Sequence, residues 1–588
     1  MSERIAAGSS LRDKLTGGQS QPADRQRLAG LNVLFAALGL AVLVPLVWSA
    51  VRTVFGGPAQ VALGGDYAVL EIYTLHARRF TQVLGPYSRF HWNHPGPFYF
   101  YLLLPFYVAF GEMSRGLLVG AFTINLLSLV GAVWIVRHAF STGRAVLFLA
   151  LIALTLRFLG FEALSDPWNS LVTVLPSLVF LLLCWLFAIG RPWGLLGMAI
   201  LGSFLVQTHI GHASLVAAAG TTAFVLGVLE LRRQERAGGL RRSILLPVGV
   251  SLACSFLLWL PPLWEQVAQP EGNLTRIAQF SGSQARGDHG WERVAAAIDE
   301  PLAGVPLGAL ASVGRERITC AVSRGLDCID ATLPWAVPAH LALLAVGLFL
   351  AIRLGRTDTA CLGLLTAAGL LGGVLALKGV QAPDTPYLPL WPAALGITTY
   401  ATAIDALLPR RHLKRLFNAS RTKAVASALL VISLLAFSNF RHASAIVPNR
   451  SLSEPNWPGF DEGRASAELA AEISAFLDSR AGPHKPVVRL VQHGVWPVVA
   501  SVVLHEYHQG RSLAVEPNWL FMFGQQFAPS GEETEELLFG WSHFHRCVTG
   551  DPDLTFVAES HRLFVYQRVP VLEAHPRCTD LAFVIPDD

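Results

Sequence analysis

Long apolar runs separated by short polar segments dominate the chain from residue 29 to residue 440. A helix needs roughly 20 apolar residues to cross the hydrocarbon core of a bilayer. The first run of this kind is Leu31–Val51, and no clear cleavage site follows it, so we expect a retained signal anchor. Ten further spans are expected at 114–137, 144–161, 168–189, 192–208, 212–231, 243–262, 334–353, 359–378, 386–408 and 423–440. The pattern predicts a polytopic α-helical membrane protein with about eleven transmembrane helices.

Basic residues assign a side to each loop, because short cytoplasmic loops of membrane proteins are enriched in Lys and Arg. With eleven spans and a cytoplasmic N-terminus, every strongly basic loop falls on the cytoplasmic side. These loops hold Arg137 and Arg144, the cluster 232–242, Arg353 and Arg356, and the cluster 410–423. The scheme predicts a cytoplasmic tail over 1–28, a transmembrane domain over 29–440 and an extracytoplasmic domain over 441–588, in a plasma (inner) membrane.

One apolar segment, Phe98–Phe110, is too short for a span in this scheme. As a helix it would rise about 20 Å, whereas the hydrocarbon core is about 30 Å thick. Its many aromatic side chains are typical of the membrane interface. We therefore expect a juxtamembrane helix on the outer face, within a first outer loop over 52–113.

Two other outer segments are large. The loop 262–333 is long and has few apolar runs, which is typical either of a functional lid or of a partly disordered segment. After Arg441 the chain turns polar, and helices at 464–479 and 496–509 alternate with strands at 487–492, 512–515, 554–559 and 563–567. This alternation predicts a small C-terminal α/β domain.

Composition agrees with the membrane assignment and excludes several classes of protein. Of 588 residues, 52% are hydrophobic and 15% are charged, whereas a soluble domain is nearer a quarter charged. A nucleic-acid-binding protein, a disordered scaffold and an ordinary cytosolic enzyme are therefore excluded. The net charge of +4 reflects the basic cytoplasmic loops. The outer pairs Cys320/Cys328 and Cys547/Cys578 are either disulfides or free thiols, and their spacing leaves both open.

Polar side chains capable of chemistry recur on the outer side. They are Asp66, Arg89, His94, Asp166, His209, His212, Lys378 and Tyr387. Simpler roles compete with function, since Asp66 and Asp166 each stand where a helix N-cap would. Arg89 and His94 could be interface anchors. Taken together, the set could bind an anionic lipid headgroup and deprotonate an acceptor hydroxyl beside it.

The order of the motifs resembles the GT-C superfamily of polytopic glycosyltransferases, with bacterial aminoarabinose transferases and protein O-mannosyltransferases as the nearest relatives. The resemblance covers roughly residues 30–410. It rests on GDYAVLE with Asp66, HPGPFYFYLLLPFYVAFG from His94 to Gly111, the second outer acid Asp166, QTHIGH over Gln207–His212, and YLPLWP over Tyr387–Pro392. This sequence departs from the family pattern at two places. His94 stands where the relatives usually have Lys, and His209 stands near a second such position.

The resemblance implies inverting transfer of a sugar from a polyprenyl-phosphate-linked donor to a cell-envelope acceptor hydroxyl in a lipid, glycan or protein, at the periplasmic face. Asp66 would be the general base, and Asp166 would orient it, assist the acceptor or help Asp66 ligate a divalent cation. Arg89, Lys378 and Tyr387 would stabilise the departing phosphate, and the histidines would bind the donor. The alternatives are a transporter or flippase of a lipid-linked substrate, against which no inverted repeat is evident, and a catalytically silent, envelope-binding member.

The topology can be tested directly. A reporter fused after Phe440 should report an extracytoplasmic location, because eleven spans carry the chain from an inner N-terminus to the outer side. Paired alkaline phosphatase and green fluorescent protein fusions give the measurement, and a fusion after Arg353 is the cytoplasmic control. Fluorescence without phosphatase activity after Phe440 would refute the eleven-span scheme.

Overall fold

The computed structural model describes residues 22–56, 63–237, 244–282, 290–310, 336–379, 390–408, 421–445, 462–480, 485–511 and 513–569. A helical part extends to residue 445, and a part built around a β-sheet follows from residue 462. The helices of the helical part are α1 (Pro22–Phe55), α2 (Gly65–Arg78), α3 (Phe98–Ala109), α4 (Ser114–Ala139), α5 (Thr142–Leu159), α6 (Val174–Ala188), α7 (Gly194–Thr208), α8 (Ala213–Arg236), α9 (Leu245–Ala268), α10 (Asn273–Gly282), α11 (Trp291–Leu302), α12 (Gly304–Leu310), α13 (Ala336–Arg353), α14 (Thr357–Lys378), α15 (Pro392–Leu407) and α16 (Arg421–Ala445). A short turn of helix, Asn169–Val172, precedes α6, and the hairpin strands β1 (Tyr87–Ser88) and β2 (Trp92–Asn93) lie between α2 and α3.

The protein is a multi-pass membrane protein. Eight helical segments of the described chain are long and apolar enough to cross a bilayer. They are Gly30–Phe55, Ser114–Ala139, Thr142–Leu159, Asn169–Ala188, Ile210–Arg236, Leu245–Ala268, Ala336–Arg353 and Thr357–Lys378. Helices also occupy the remaining three predicted spans, at Gly194–Thr208, Pro392–Leu407 and Arg421–Ala445. The total of eleven spans stays a prediction, as does the placement of the 12-residue helix α3 beside the membrane.

Small residues let the helices pack closely. A Cβ atom at Gly372 of α14 would lie 2.6 Å from the backbone oxygen of Ser214 on α8. At Gly347 of α13 it would lie 2.9 Å from the Cα atom of Ala403 on α15. Large apolar side chains instead point outward, as Leu127 does with 66% of its surface exposed. Small residues at helix contacts and large ones facing outward are the pattern expected of helices in lipid.

One cluster of charges joins three helices at the ends opposite the segments that are predicted to be outer loops. The Arg144 guanidinium, at the start of α5, contacts Asp358 on α14 at 2.5 Å and Asp405 on α15 at 2.8 Å. The Trp185 indole donates a hydrogen bond to the backbone oxygen of Asp358 at 2.6 Å. Arg144 is 12% exposed, so its charge is largely removed from water and depends on both carboxylates.

The second part contains a five-stranded sheet in the order β4-β3-β5-β7-β6. Its strands are β3 (Pro486–Leu490), β4 (Ala514–Val515), β5 (Glu535–Trp541), β6 (Leu554–Ser560) and β7 (Leu563–Arg568). Strand β3 is parallel to β4 and β5, whereas β7 is antiparallel to β5 and β6. The helices of this part are α17 (Glu462–Asp478), α18 (Trp496–His508), α19 (Leu520–Phe523) and α20 (Ser542–Val548).

The central strand, β5, is the one strand of this sheet that the sequence analysis did not assign. It begins with two acids, Glu535 and Glu536, which read as a polar segment although both are buried. Glu535 pairs with Arg480, and Glu536 pairs with Arg489 at 3.0 Å and with Arg568. These partners lie on other elements, so the sequence around β5 does not reveal that its acids are neutralised.

The sheet-containing part packs on helix α2 of the first outer loop. Glu71 of α2 is fully buried and accepts a hydrogen bond from the Tyr107 hydroxyl at 2.7 Å. The Nε2 atom of His508, on α18, lies 2.9 Å from the same carboxylate. The Tyr73 hydroxyl donates to the backbone oxygen of Met522 at 2.5 Å. Polar contacts thus fix the position of this part on α2.

The cysteine pairings stay predictions. Cys547 is disulfide-bonded. Cys184, Cys254 and Cys361 are free thiols. Cys320, Cys328 and Cys578 lie outside the described residues.

The charge cluster makes a stability prediction. Arg144→Ala leaves Asp358 and Asp405 side by side without their cation, which should lower the free energy of unfolding by about 2–4 kcal/mol. The measurement is the melting temperature of the purified protein in detergent. Arg233→Ala is the matched control because Arg233 is 74% exposed beside Glu230, and it should melt as the wild type does. Equal melting temperatures for the two variants would contradict the role of the cluster.

Candidate functional site

A cavity of about 1780 Å³ lies between the helical part and the sheet-containing part. Its floor and walls come from α2, the β1–β2 hairpin, residues 168–170, residues 209–211, residues 213–214 and helix α10. The sheet-containing part covers it with residues from 490–496 and 516–525. It is large enough for a substrate of several rings, and its lining mixes aromatic, basic and acidic side chains.

Two of the motifs singled out in the sequence meet at this cavity. A Cβ atom at Gly96, in the His-Pro-Gly-Pro segment, would lie 2.3 Å from the side-chain oxygen of Gln207. That oxygen accepts a hydrogen bond from the backbone N–H of Phe98 at 3.3 Å. Only glycine allows so close an approach. The contact brings His94 beside His209, which lies two residues after Gln207.

Asp66 lines the cavity from the first turn of α2. The helix begins at Gly65, whose φ of +50° favours glycine, and the N-cap is Gly64. Asp66 is therefore not the N-cap residue. Its carboxylate accepts hydrogen bonds from the Tyr87 hydroxyl and from the Trp168 indole. Burial raises the pKa of Asp66 above its ordinary value, and these two hydrogen bonds oppose that rise.

Asp166 is fully buried and does not line the cavity. One of its oxygens accepts a hydrogen bond from the backbone N–H of Trp168 at 2.8 Å. Both oxygens lie 3.1 Å from the Tyr67 hydroxyl. Asp166 thus fixes the backbone of Trp168, whose indole contacts Asp66. The structure places Asp166 behind Asp66, in a position to orient it.

His94 and His209 line the cavity together, with ring centres 4.5 Å apart. The Nδ1 atom of His94 accepts the backbone N–H of Ile210 at 3.2 Å, and that of His209 accepts the N–H of Gly211 at 3.2 Å. In a neutral imidazole this leaves Nε2 as the N–H donor. Burial lowers the pKa of His209 to about 4 and that of His94 well below its ordinary value. Both rings are therefore neutral hydrogen-bond donors at pH 7.

His212 lies behind this pair and does not line the cavity. Its Nδ1 atom is 3.2 Å from the backbone oxygen of His209, to which it donates. Its ring packs against Trp391 with centres 5.7 Å apart. His212 therefore supports the backbone of His209 and does not face the space where a substrate would lie.

The three remaining predicted residues differ in position. Arg89 lines the cavity from the hairpin, with its guanidinium 5.1 Å from the ring centre of Phe90. Lys378 does not line it, and its ammonium group lies 4.9 Å from the ring centre of Trp291. Its neighbour Gly379 does line the cavity. Tyr387 lies outside the described residues.

Sequence reasoning missed several lining residues. Tyr87 and Trp168, which hydrogen-bond to Asp66, lie two residues from the predicted site residues Arg89 and Asp166 respectively. Their closeness in the sequence to these two charged residues is the pattern that could have identified them as site residues. Glu516 and His493 line the cavity from the sheet-containing part. No local pattern connects them to residues more than 400 positions earlier.

A divalent cation stays a prediction. Within the part of the chain that the structure describes, no group of three or more His, Cys, Asp or Glu side chains is arranged to hold a metal ion. The oxygens of Asp166 already accept hydrogen bonds from Trp168 and Tyr67. We derive no chemical step through a cation.

Comparison with known proteins shows the fold. No protein-family model and no curated protein matches the chain. The crystal structure of ArnT from Cupriavidus metallidurans bound to undecaprenyl phosphate aligns with a TM-score of 0.54 at 15% identity, over 92% of this chain and 98% of that chain. The apo structure of the same protein aligns with a TM-score of 0.53 at 15% identity, over 90% and 97%. The likeness spans nearly the whole of both chains and confirms the predicted GT-C fold.

Proposed function

We propose that the chain is a membrane glycosyltransferase that moves a sugar from a polyprenyl-phosphate-linked donor to a hydroxyl group of a cell-envelope acceptor. The observation that carries the proposal is the position of Asp66, a half-buried carboxylate at the wall of a large cavity. In favour of the donor class is the shared fold with ArnT, whose crystal structure contains undecaprenyl phosphate.

Asp66 has the properties of a general base. A base is most effective when its pKa lies near the operating pH, and burial raises the pKa of Asp66 towards that range. Tyr87 and Trp168 hold the carboxylate from two directions. Asp166 contributes indirectly, by holding the backbone of Trp168 at 2.8 Å. Asp66 thus reacts with the substrate, and Asp166 positions it.

The reaction is a single displacement. The acceptor hydroxyl oxygen attacks the anomeric carbon of the donor sugar, and Asp66 takes the hydroxyl proton. The bond between the anomeric carbon and the phosphate oxygen breaks, and polyprenyl phosphate leaves with the electron pair. The attack is opposite to the leaving group, so the configuration at the anomeric carbon inverts. No covalent enzyme intermediate is needed, and one carboxylate suffices.

The leaving phosphate needs stabilisation because negative charge grows on it in the transition state. Arg89 supplies a cation at the cavity wall. The neutral rings of His94 and His209 supply Nε2–H donors on the floor. Donors fixed in advance by backbone hydrogen bonds stabilise developing charge without reorganising. We assign the donor phosphate to this side of the cavity, and Lys378 and Tyr387 stay candidates for it.

The site would operate at the outer face of the membrane, with the N-terminus in the cytoplasm. The cavity lies among the segments that the charge pattern assigns to that face, and the charge cluster at Arg144 lies at the opposite end. An acceptor in the cell envelope reaches this face directly. The donor lipid reaches it within the bilayer.

Loss of the base gives the first test of the chemistry. Asp66→Asn keeps the size of the side chain but cannot accept the proton, so transfer from a polyprenyl-phosphate sugar should fall by about 10²- to 10⁴-fold. The measurement is the turnover of purified protein in lipid nanodiscs. Glu112→Gln is the matched control, because Glu112 is an outer-loop carboxylate that pairs with Arg78 away from the cavity. Turnover like that of the wild type in Asp66→Asn would remove Asp66 from the mechanism.

The pH dependence gives a second test. Asp66 acts as a base only when ionised, so kcat/KM should fall as the pH drops through its raised pKa. Tyr87→Phe removes a hydrogen bond that favours the ionised form, which raises that pKa further. The acidic limb of the profile should therefore move to higher pH, with activity recovering at alkaline pH.

Tyr101→Phe is the control for this profile, because the Tyr101 hydroxyl donates to the backbone oxygen of Gln82 at 3.0 Å and does not line the cavity. Its acidic limb should coincide with that of the wild type. An unshifted limb in Tyr87→Phe would show that another group controls the profile.

A further inference from the structure

The sheet-containing part presents an aromatic surface to the cavity, here called the roof and defined as Trp496, Trp519, Phe521, Glu516 and His493. The rings of Trp519 and Phe521 are stacked, with centres 6.1 Å apart and planes 25° from parallel. Trp496 and Phe521 are half-buried, so part of each ring faces the cavity. The roof thus lines one side of the cavity with three aromatic side chains.

The roof is joined directly to the catalytic carboxylate. The Tyr87 ring lies 5.9 Å from the ring of Trp496 and 6.3 Å from that of Phe521, edge-on to both. The hydroxyl at the other end of Tyr87 donates to Asp66. A molecule resting on Trp496 and Phe521 is therefore about one side chain away from the general base. A molecule of several sugar rings resting there can therefore extend one hydroxyl to within hydrogen-bond distance of Asp66, as a general base requires.

The arginines of the cavity lining come from one part of the chain. Arg89 and Arg276 line the cavity from the helical part, which also contributes the acids Asp66 and Glu271. Among the described residues of the sheet-containing part that line it, none is Lys or Arg, and Glu516 is the charged member. Glu516 accepts the backbone N–H of Leu490 at 2.7 Å, which fixes its carboxylate. The roof therefore disfavours a phosphate and offers hydrogen-bond acceptors to hydroxyl groups.

We infer that the roof is the acceptor subsite and that it binds an uncharged saccharide. A sugar ring has apolar C–H faces that pack on aromatic rings and hydroxyl groups that donate to a carboxylate and an imidazole. The roof combines both features, with Glu516 and His493 beside the aromatic side chains. The inference rests on the proposed function and extends it, because it assigns the acceptor to one chemical class.

Binding without donor tests this subsite separately from the transfer reaction. Full-length protein in detergent, labelled with a fluorophore, is applied to a printed array of neutral tetrasaccharides of glucose, galactose, mannose and arabinose. The same tetrasaccharides carrying one phosphate are printed beside them. We expect a neutral tetrasaccharide to bind and its phosphorylated form to bind more weakly.

Variants then locate the site by titration with the bound tetrasaccharide. Trp496→Ala and Phe521→Ala should each raise Kd by about tenfold, because each removes an aromatic contact. Glu516→Gln should also weaken binding, although its amide oxygen can still accept the N–H of Leu490. Phe556→Ala is the matched control, since Phe556 is a 50% exposed aromatic side chain of the same part and does not line the cavity. Melting temperatures identify any variant that fails to fold. If the aromatic variants fail to fold, Glu516→Gln still tests the site, because glutamine has the same size and shape as glutamate.

Asp66→Asn separates the two proposals, because it should lose transfer while retaining the tetrasaccharide binding that depends on Trp496 and Phe521. Three results would overturn the inference. They are tighter binding of phosphorylated tetrasaccharides, unchanged binding in both Trp496→Ala and Phe521→Ala, and absence of binding to every printed saccharide by the wild type. None of these bears on whether Asp66 is the base, which the turnover measurement decides.

Discussion

The cavity exists because a buried carboxylate fixes one part of the chain on the other. Glu71 of α2 is removed from water, and its contacts with Tyr107 and His508 come from α3 and α18. A buried carboxylate without such partners would cost several kcal/mol. The three groups therefore hold α2, α3 and the sheet-containing part in one arrangement. Since α2 also carries Asp66 in its first turn, the same helix sets the position of the proposed general base and its distance to the roof.

Around Asp66, some polar groups contact the carboxylate directly and others hold those groups in place. Tyr87 and Trp168 contact the carboxylate, and Asp166 holds Trp168 from behind. His94 and His209 have their Nδ1 atoms occupied by backbone N–H groups in the same way. In both cases a side chain that faces the cavity is held by hydrogen bonds from neighbouring groups. Such second contacts fix geometry before a substrate arrives, which is what electrostatic catalysis requires.

The helical part was predictable from the sequence because a helix that crosses a bilayer needs a long run of apolar residues. Long apolar runs gave helices at all eleven expected places, and the short run at Phe98 gave a short helix. Asp66 and His94 were found because they are polar side chains in conspicuous motifs. Strand β5 and the roof were missed for the opposite reason. Glu535 is neutralised by Arg480 from another element, and Glu516 reaches the cavity only after the whole sheet has formed. Such long-range pairing leaves no local pattern.

The cluster at Arg144 has a consequence for the order in which the membrane part assembles. Asp358 follows Arg144 by 214 positions and Asp405 follows it by 261. A chain made from its N-terminus must therefore insert α5 and the five expected spans between α5 and α14 long before either counter-charge exists. During that interval a cation at the membrane surface remains hydrated, whereas one in mid-bilayer would be costly. Because Arg144 lies at the start of α5, it can stay hydrated while the early helices insert. The ion cluster then forms when α14 and α15 pack against α5.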